Sequence, residues 1–189
     1  NLSFSLVLII ALSPILLFVA ISVYLTSKGS IFYCSDRIGK NNVIFKMPKF
    51  RSMLVDTPAV ATHLLDNPDS CLSYIGGFLR RSSLDEVPQL FSVLKGDMNF
   101  VGPRPALYNQ DDLIALRTEK GVHKLLPGIT GWAQVNGRDE LSIPDKVALD
   151  EEYLNRQSFW IDMKDRKSTR LNCSHKPMSY GVVSQYIYT

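Results

Sequence analysis

Cysteine is scarce in this chain, with three residues, Cys34, Cys71 and Cys173, in 189. The number is odd, the spacing is wide, and no CxxC or Cys/His ligand pattern is present. A disulfide framework normally needs a denser, even set, and a structural zinc site needs closely spaced ligands. The sequence therefore argues against both, and it predicts a reduced domain that faces the cytosol.

The body of the chain also lacks net charge. The whole chain carries +3, but residues 1–164 hold 17 Lys and Arg against 17 Asp and Glu, whereas residues 165–189 hold 4 against 1. Because all of the excess lies in the tail, charge gives no support for a nucleic-acid partner, and we expect none. Neither a Walker-A lysine pattern nor GxGxxG is present, so neither a P-loop nor a Rossmann site is indicated.

One long uncharged apolar run, Leu2–Leu25, is present at the start. As a straight helix it would measure ~36 Å, enough to cross a hydrocarbon core of ~30 Å. It is too long for a signal peptide, and no small-residue cleavage pattern follows it. Basic residues from Lys28 to Arg51 predict that the downstream side lies in the cytosol. Since the first residue is Asn1, we expect the start of the protein to be missing.

Ser13-Pro14 lies at the midpoint of the apolar run. Proline removes one backbone donor and clashes with the preceding turn, and a serine can bond to the groups that this frees. Two interpretations follow. The run is either a kinked helix that spans the membrane, or a helix-break-helix that enters and leaves by the same leaflet. The pattern alone does not decide between them.

The remaining sequence predicts short helices and one hairpin, which is a helix-rich α+β fold. Turn residues at 39–42 separate two β-prone runs within residues 31–56. Helices are predicted over Thr57–Leu65 (weakly), Tyr74–Arg81, Val87–Lys95, Asp111–Lys124 and Lys146–Asn155. Residues 97–107 and 127–138 are predicted to be loops, the first stiffened by prolines and the second punctuated by glycines.

Asp85 and Glu86 are adjacent carboxylates that follow the pair Arg80-Arg81. One carboxylate of such a pair can attack a phosphorus atom while the other holds a cation, and arginines bind phosphate oxygens. The alternative is a capping box that begins at Ser83, since S-x-x-E is matched. Pro88 disfavours it, because a helix starting at about Asp85 instead places the proline in the first turn. Both acids would then lie at the positive end of the helix dipole.

Arg104 lies between Pro103 and Pro105, which fix the backbone on either side of it. This bracketing would pre-organise the side chain at little entropic cost, as suits a phosphate clamp. An ordinary surface arginine between two prolines is the alternative.

These motifs together resemble the bacterial sugar transferase family, the monotopic phosphoglycosyl transferases. The resemblance runs from about Leu6 to Lys164, with all motifs in the family's order. Its markers are Ser13-Pro14, FYCSDRIG (32–39), KFRSM (49–53), RSSLDEVPQL (81–90), KGDM (95–98), VGPRP (101–105) and residues 127–138.

The resemblance implies a specific chemistry. Asp85 would attack the β-phosphorus of a UDP-sugar, UMP would leave, and polyprenyl phosphate would accept the sugar phosphate from the aspartyl intermediate. Glu86 would hold Mg²⁺. The substrate-binding residues would be Lys49, Arg51, Arg80, Arg104, Gln134 and Arg138. Family membership also favours the re-entrant interpretation of Ser13-Pro14.

The expected organisation is a re-entrant membrane segment over residues 1–26, a catalytic domain over 27–164 on the cytosolic face of the bacterial inner membrane, and a tail. The expected partners are a UDP-sugar, polyprenyl phosphate and membrane lipid, with a homo-oligomer left open. The alternatives are an inactive membrane-anchored scaffold, a truncated fragment, or a one-step transferase. The sequence identifies neither the sugar nor the glycan.

Residues 165–189 depart from the family pattern, which would continue as another apolar helix. Residues 165–175, DRKSTRLNCSH, match the translation of a common sequencing adapter except at Cys173. We therefore expect the tail to be non-native read-through, with no function for Cys173 or His175; a basic membrane-binding tail is the alternative. Resequencing the source DNA across codons 160–176 distinguishes the two.

Overall fold

A computed structural model describes residues 2–57, 68–137 and 141–156. Within these residues the fold is helix-rich α+β, as predicted. The helices are α1 (Leu2–Thr26), α2 (Gly76–Arg81), α3 (Gln89–Lys95), α4 (Asp111–Glu119), α5 (Trp132–Val135) and α6 (Ile143–Arg156). The strands are β1 (Phe32–Ile38), β2 (Ile44–Phe50), β3 (Asn99–Val101) and β4 (Gly128–Thr130).

Helix α1 runs without interruption through Pro14. The proline nitrogen cannot bond to the carbonyl of Ile10 four residues earlier. The hydroxyl of Ser13 donates to that carbonyl instead, at 2.7 Å. The helical secondary structure therefore continues through the predicted break at Ser13-Pro14, and the serine satisfies the carbonyl that the proline leaves without a donor.

Helix α1 packs against the rest of the fold near both of its ends. Its buried residues Val19 and Val23 form one core cluster with Phe50 of β2 and Leu79 of α2. Near the start of the helix, the ring of Phe4 meets Phe100 of β3 edge to face at 5.2 Å. These two contact regions are ~22 Å apart along the helix axis at 1.5 Å per residue. Residues near both ends of the helix thus contact the domain.

The predicted hairpin is confirmed. Strands β1 and β2 pair antiparallel, with Phe32 opposite Phe50 at the open end and Ile38 opposite Ile44 next to the turn. Asn41 and Asn42 in the turn have φ values of 55° and 60°, a left-handed conformation that asparagine tolerates better than most residues. Strand β2, the second strand of the hairpin, contacts the segment Leu84–Glu86 that carries the acid pair.

The acid pair lies in a separate 3₁₀ turn, Leu84–Glu86, and α3 begins only at Gln89. The helix predicted over Val87–Lys95 is confirmed and begins two residues later, whereas the predicted start at about Asp85 is wrong, because the acids precede the helix. The capping box is also absent, because Ser83 has φ 56° and its side chain makes no capping hydrogen bond. The predicted stop of the helix at Gly96 is confirmed, with φ 87° at that glycine.

Both predicted loops contain a short strand. Strands β3 and β4 pair parallel, with Asn99 opposite Gly128 and Val101 opposite Thr130. The backbones approach so closely that a Cβ on Gly102 would lie 2.4 Å from the carbonyl oxygen of Leu126. Glycine is required there, and the contact fixes the start of the Pro103–Pro105 loop.

Helices α4 and α6 pack together through a core of Ala106, Leu113 and Val147. The predicted helix over residues 111–124 ends early, since Gly121 has φ 75° and a 3₁₀ turn covers Val122–Lys124. The last predicted helix is confirmed and extends further on both sides, over Ile143–Arg156. The weak helix prediction over residues 57–65 and the tail prediction lie outside the described residues, apart from Thr57.

Candidate active site

Glu86 is the centre of a compact charged cluster. Its Oε1 atom accepts a hydrogen bond from Lys49 Nζ at 2.7 Å and another from Arg104 Nη2 at 2.8 Å. These three side chains come from β2, the 3₁₀ turn and the loop after β3. The fold thus joins three segments that are far apart in sequence, and two cations share one carboxylate oxygen.

The surroundings of Glu86 keep it ionised. Burial alone would raise the pKa of this carboxyl, but the charges of Arg104 and Lys49 and their hydrogen bonds outweigh it. The net result is a pKa far below the usual range for glutamate. Glu86 is therefore a permanent negative charge at neutral pH.

Asp85 differs from its neighbour although the two are adjacent. Its side chain is buried, and no more than 7% of the residue is exposed. Burial raises the pKa of Asp85, and the negative charge of Glu86 raises it further, while the positive charges of Lys49 and Arg80 oppose the shift. Two adjacent carboxyls with opposite pKa shifts are suited to different tasks, as is common in active sites.

Burial also affects the basic members of the cluster. It lowers the pKa of Lys49, an effect that Glu86 partly offsets. Arg37 of β1 was not predicted as a site residue, although its sequence segment carries a family marker. Burial and the nearby charge of Arg104 lower the pKa of Arg37 to about 10, so it remains protonated at neutral pH. Arg37 Nη1 donates to the backbone carbonyl of Pro105 at 3.1 Å.

The structure brings most, but not all, of the predicted site residues together. Lys49 and Arg104 contact Glu86, and Arg80 lies close enough to Asp85 for its charge to affect the carboxyl. Arg51 lies elsewhere: its Nη1 donates to the carbonyl of Lys28, in the linker after α1, at 3.4 Å.

The two predicted substrate residues of the glycine-rich segment are not part of the described cluster. Gln134 lies in α5, which packs against α6. Its side-chain Oε1 is buried and has no hydrogen-bond partner within the described part of the chain. Arg138 lies outside the described residues.

No group of three or more His, Cys, Asp or Glu side chains with metal-ligand geometry exists within residues 2–57, 68–137 and 141–156. The acid pair therefore provides at most two carboxylates, and Oε1 of Glu86 is already shared by two cations. Magnesium often binds through one or two carboxylates together with substrate phosphates. The donor set fits such a shared site and does not fit an all-protein cage.

Comparison with known proteins agrees with the sequence motifs. The family model described as "Bacterial sugar transferase" matches residues 1–172. Over 175 residues the chain is 42% identical to an undecaprenyl-phosphate glucose phosphotransferase of Komagataeibacter xylinus, covering 87% of this chain and 33% of that protein. It is 39% identical over 165 residues to a UDP-glucose:undecaprenyl-phosphate glucose-1-phosphate transferase of Escherichia coli (strain K12), covering 83% and 35%.

A shorter relative is covered over most of its length. The chain is 39% identical over 166 residues to an uncharacterized sugar transferase of Bacillus subtilis (strain 168), with 87% of this chain and 80% of that protein aligned. By contrast, the chain spans about a third of the length of the first two relatives. The extent of the family match and the level of identity establish that this chain belongs to the bacterial sugar transferase family.

Proposed function

We propose that this chain transfers a sugar 1-phosphate from a UDP-sugar to polyprenyl phosphate, as the first membrane step of bacterial polysaccharide or glycoconjugate assembly. The observation that carries the proposal is the buried Asp85 beside an ionised Glu86, with the cations Lys49, Arg80 and Arg104 around them. A diphosphate repels an attacking carboxylate, so the reaction needs positive charge at the point of attack. The names of two relatives support this substrate class.

Asp85 acts as the nucleophile in this proposal. One of its carboxylate oxygens forms a bond to the β-phosphorus, the bond between that phosphorus and the bridging oxygen breaks, and UMP leaves with the electron pair. A phosphate oxygen of polyprenyl phosphate then attacks the same phosphorus. The acyl-phosphate bond breaks, which regenerates the Asp85 carboxylate and gives polyprenyl diphosphate sugar.

Arg104, Lys49 and Arg80 would neutralise phosphate oxygens during both steps. Arginine binds phosphate through two parallel N–H donors, and lysine acts as a point charge. In the structure Arg104 and Lys49 pair with Glu86, so binding of the UDP-sugar would replace part of these contacts with contacts to phosphate oxygens. The pairing with Glu86 holds both side chains in position before the UDP-sugar binds.

Glu86 is the proposed Mg²⁺ ligand. Its low pKa keeps the carboxylate charged, and only one of its oxygens receives the bonds from Lys49 and Arg104. Mg²⁺ would supply charge neutralisation of the diphosphate. With two cations already at this carboxylate, we expect weak Mg²⁺ binding to the free protein and tighter binding once diphosphate oxygens are present.

Helix α1 is the proposed membrane anchor. It is the one helix in the described residues that is long and apolar enough to cross a membrane. Large apolar side chains are exposed along it, among them Val7, Ile10, Leu17, Phe18 and Leu25. Its contacts with the domain near Phe4 and Val23 favour the re-entrant interpretation, in which the segment enters and leaves by the same leaflet, more than a helix that spans the bilayer. The acid pair would then lie at the cytosolic surface of the inner membrane.

Gln134, Arg138 and Arg51 remain proposed contacts for the nucleotide sugar. Among them, Gln134 has a side-chain Oε1 without a hydrogen-bond partner in the described residues, and because that oxygen is buried, its side chain would have to move to contact a ligand.

Release of UMP tests the proposal. Membranes or detergent-solubilised protein are incubated with polyprenyl phosphate, Mg²⁺ and a panel of UDP-sugars that begins with UDP-glucose, the donor named for one relative. We expect one donor to release UMP and yield a lipid-linked sugar, and Asp85→Asn to abolish both. No UMP from any donor, or full activity in Asp85→Asn, would contradict the proposal.

A further inference from the structure

The loop that carries Arg104 is held by two further arginines, Arg117 and Arg37, which bind its backbone carbonyls. Arg117 Nη1 donates to the backbone carbonyl of Arg104 at 2.8 Å, and Arg37 Nη1 donates to the next carbonyl, that of Pro105, at 3.1 Å. Two consecutive carbonyls are thus bound by guanidinium groups from α4 and β1. A hydrogen bond from a charged donor stabilises more than one between neutral groups, so these two bonds contribute substantially to holding the loop.

Asp150 of α6 fixes the orientation of Arg117. Its Oδ2 accepts hydrogen bonds from Arg117 Nε at 3.0 Å and from Nη2 at 2.7 Å. Both side chains are largely enclosed, with 12% of Arg117 and 1% of Asp150 exposed. The rigid fork of the guanidinium lets two nitrogens bind the carboxylate while the third reaches the loop. The ion pair with Asp150 therefore fixes the guanidinium of Arg117, which in turn binds the backbone carbonyl of Arg104.

Packing and backbone hydrogen bonds hold the two ends of this loop. Pro103 and Pro105 are buried, and Ala106 belongs to a core cluster with Leu113 and Val147. The backbone N–H of Gly128 donates to the carbonyl of Pro103 at 2.9 Å, and that of Ile38 donates to the carbonyl of Ala106 at 3.0 Å. The two carbonyls between these points, those of Arg104 and Pro105, are the ones that the arginines bind.

We infer that Arg117 and Asp150 are positioning residues for the transfer reaction, which fix the backbone at Arg104 so that its guanidinium reaches the acid pair. The inference rests on the proposed function for its role in catalysis. It concerns the Arg104 backbone and assigns no contact with substrate to either residue.

Arg117→Lys is the informative variant. Lysine keeps the charge opposite Asp150, but its single nitrogen cannot replace the contacts of Nε, Nη1 and Nη2. We expect kcat to fall on the order of 10- to 100-fold, as expected for a misplaced catalytic group. Asp150→Asn should lower kcat in the same direction. Lys120→Met is the matched control, because Lys120, which directly follows α4, pairs with Glu151 of α6 at an exposed site, and the change should leave kcat unchanged.

A second background separates positioning from general damage. In Arg104→Ala, adding Arg117→Lys should lower kcat by less than about twofold, since the group that it positions is already gone. An equal loss of kcat in both backgrounds would overturn the inference.

Thermal unfolding gives a readout that needs no activity. If the bond between Arg104 and Glu86 depends on the ion pair of Arg117 with Asp150, Glu86→Gln should lower Tm less in the Arg117→Lys background than in the unaltered protein. The two losses should differ by roughly 1–2 °C, because the exposed Arg104 contributes the smaller share of the Glu86 contacts. Tm losses that agree to well within that difference would refute the positioning role. Non-additive Tm losses in a protein that turns over no UDP-sugar would refute the proposed function and leave the positioning role supported.

Discussion

Replacing Glu86 with glutamine removes the negative charge that holds the cluster together. The carboxylate oxygen accepts from Lys49 at 2.7 Å and from Arg104 at 2.8 Å. Glutamine has nearly the same shape, so the change removes the negative charge that both cations contact while creating no cavity. The effect on stability therefore reports the electrostatics of the cluster.

The two contacts contribute unequally. The side chain of Lys49 is 17% exposed and that of Glu86 is 24% exposed, so their bond resembles a largely buried charged hydrogen bond of about 1.5–3 kcal/mol. Arg104 is 37% exposed, and solvent screening limits its share to about 0.5 kcal/mol. The sum is about 2–3.5 kcal/mol, which for a domain of this size lowers Tm by roughly 4–14 °C.

Thermal unfolding of the Glu86→Gln protein and its parent across a range of pH tests this expected difference in Tm. The pKa of Glu86 is lowered in the folded state, so its stabilisation is complete above the unfolded value of about 4.5 and is lost as pH falls toward the lower folded pKa. The Tm difference between the two proteins should be full at pH 7 and shrink below pH ~4.5. Asp36→Asn, which breaks the exposed pair with Lys46 on the same hairpin, should change Tm little. A Glu86→Gln protein as stable as its parent at pH 7 would refute the reasoning.

Two other predictions concern the neighbours of this carboxylate. Attack by Asp85 needs the ionised carboxylate, and the pKa of Asp85 is raised, so kcat/KM should fall as pH falls through a value above 3.8. Lys49→Met removes a positive charge that opposes this pKa shift, so the fall in kcat/KM should move to higher pH. A fall in kcat/KM at an unchanged pH would contradict the assignment. Gly76→Ala would place a Cβ 1.9 Å from the carbonyl oxygen of Ser52 and should lower Tm by several degrees, whereas Gly77→Ala, with its nearest contact at 3.7 Å, should not. Equal Tm values for the two variants would count against the packing described.

Elements with a strong local pattern could be predicted from the sequence. The hairpin was predictable because turn residues separate two β-prone runs, and α6 because its polar and apolar residues follow a helical pattern. The pairing of β3 with β4 was not, since each strand has three residues and its partner lies almost thirty residues away. Such short strands show no periodicity, and tertiary contacts alone define them.

Some residues of the candidate site could also be predicted from the sequence, and others could not. Asp85 and Glu86 were recognisable because they are adjacent, and Arg104 because prolines bracket it. Arg37 and Arg117 were not predicted, since their roles depend on backbone carbonyls 68 and 13 residues away. Their type and local spacing give no indication of these partners.

Arg51 shows how a tertiary contact limits this kind of prediction. It follows Lys49 by two residues, and side chains two apart along a strand share a face. The backbone N–H of Arg51 still donates to the carbonyl of Ile31 at 2.9 Å. Its side chain bonds to the carbonyl of Lys28 instead of joining the acid cluster, and the local sequence gives no indication of that partner.

Trapping the covalent intermediate tests the central claim most directly. The protein is incubated with Mg²⁺ and its UDP-sugar in the absence of polyprenyl phosphate, digested, and examined by mass spectrometry. We predict a sugar phosphate on the peptide that contains Asp85, lost on addition of polyprenyl phosphate and absent from Asp85→Asn. An enzyme that turns over rapidly, yet carries no adduct at Asp85 and exchanges no labelled UMP into UDP-sugar without lipid, would contradict the account.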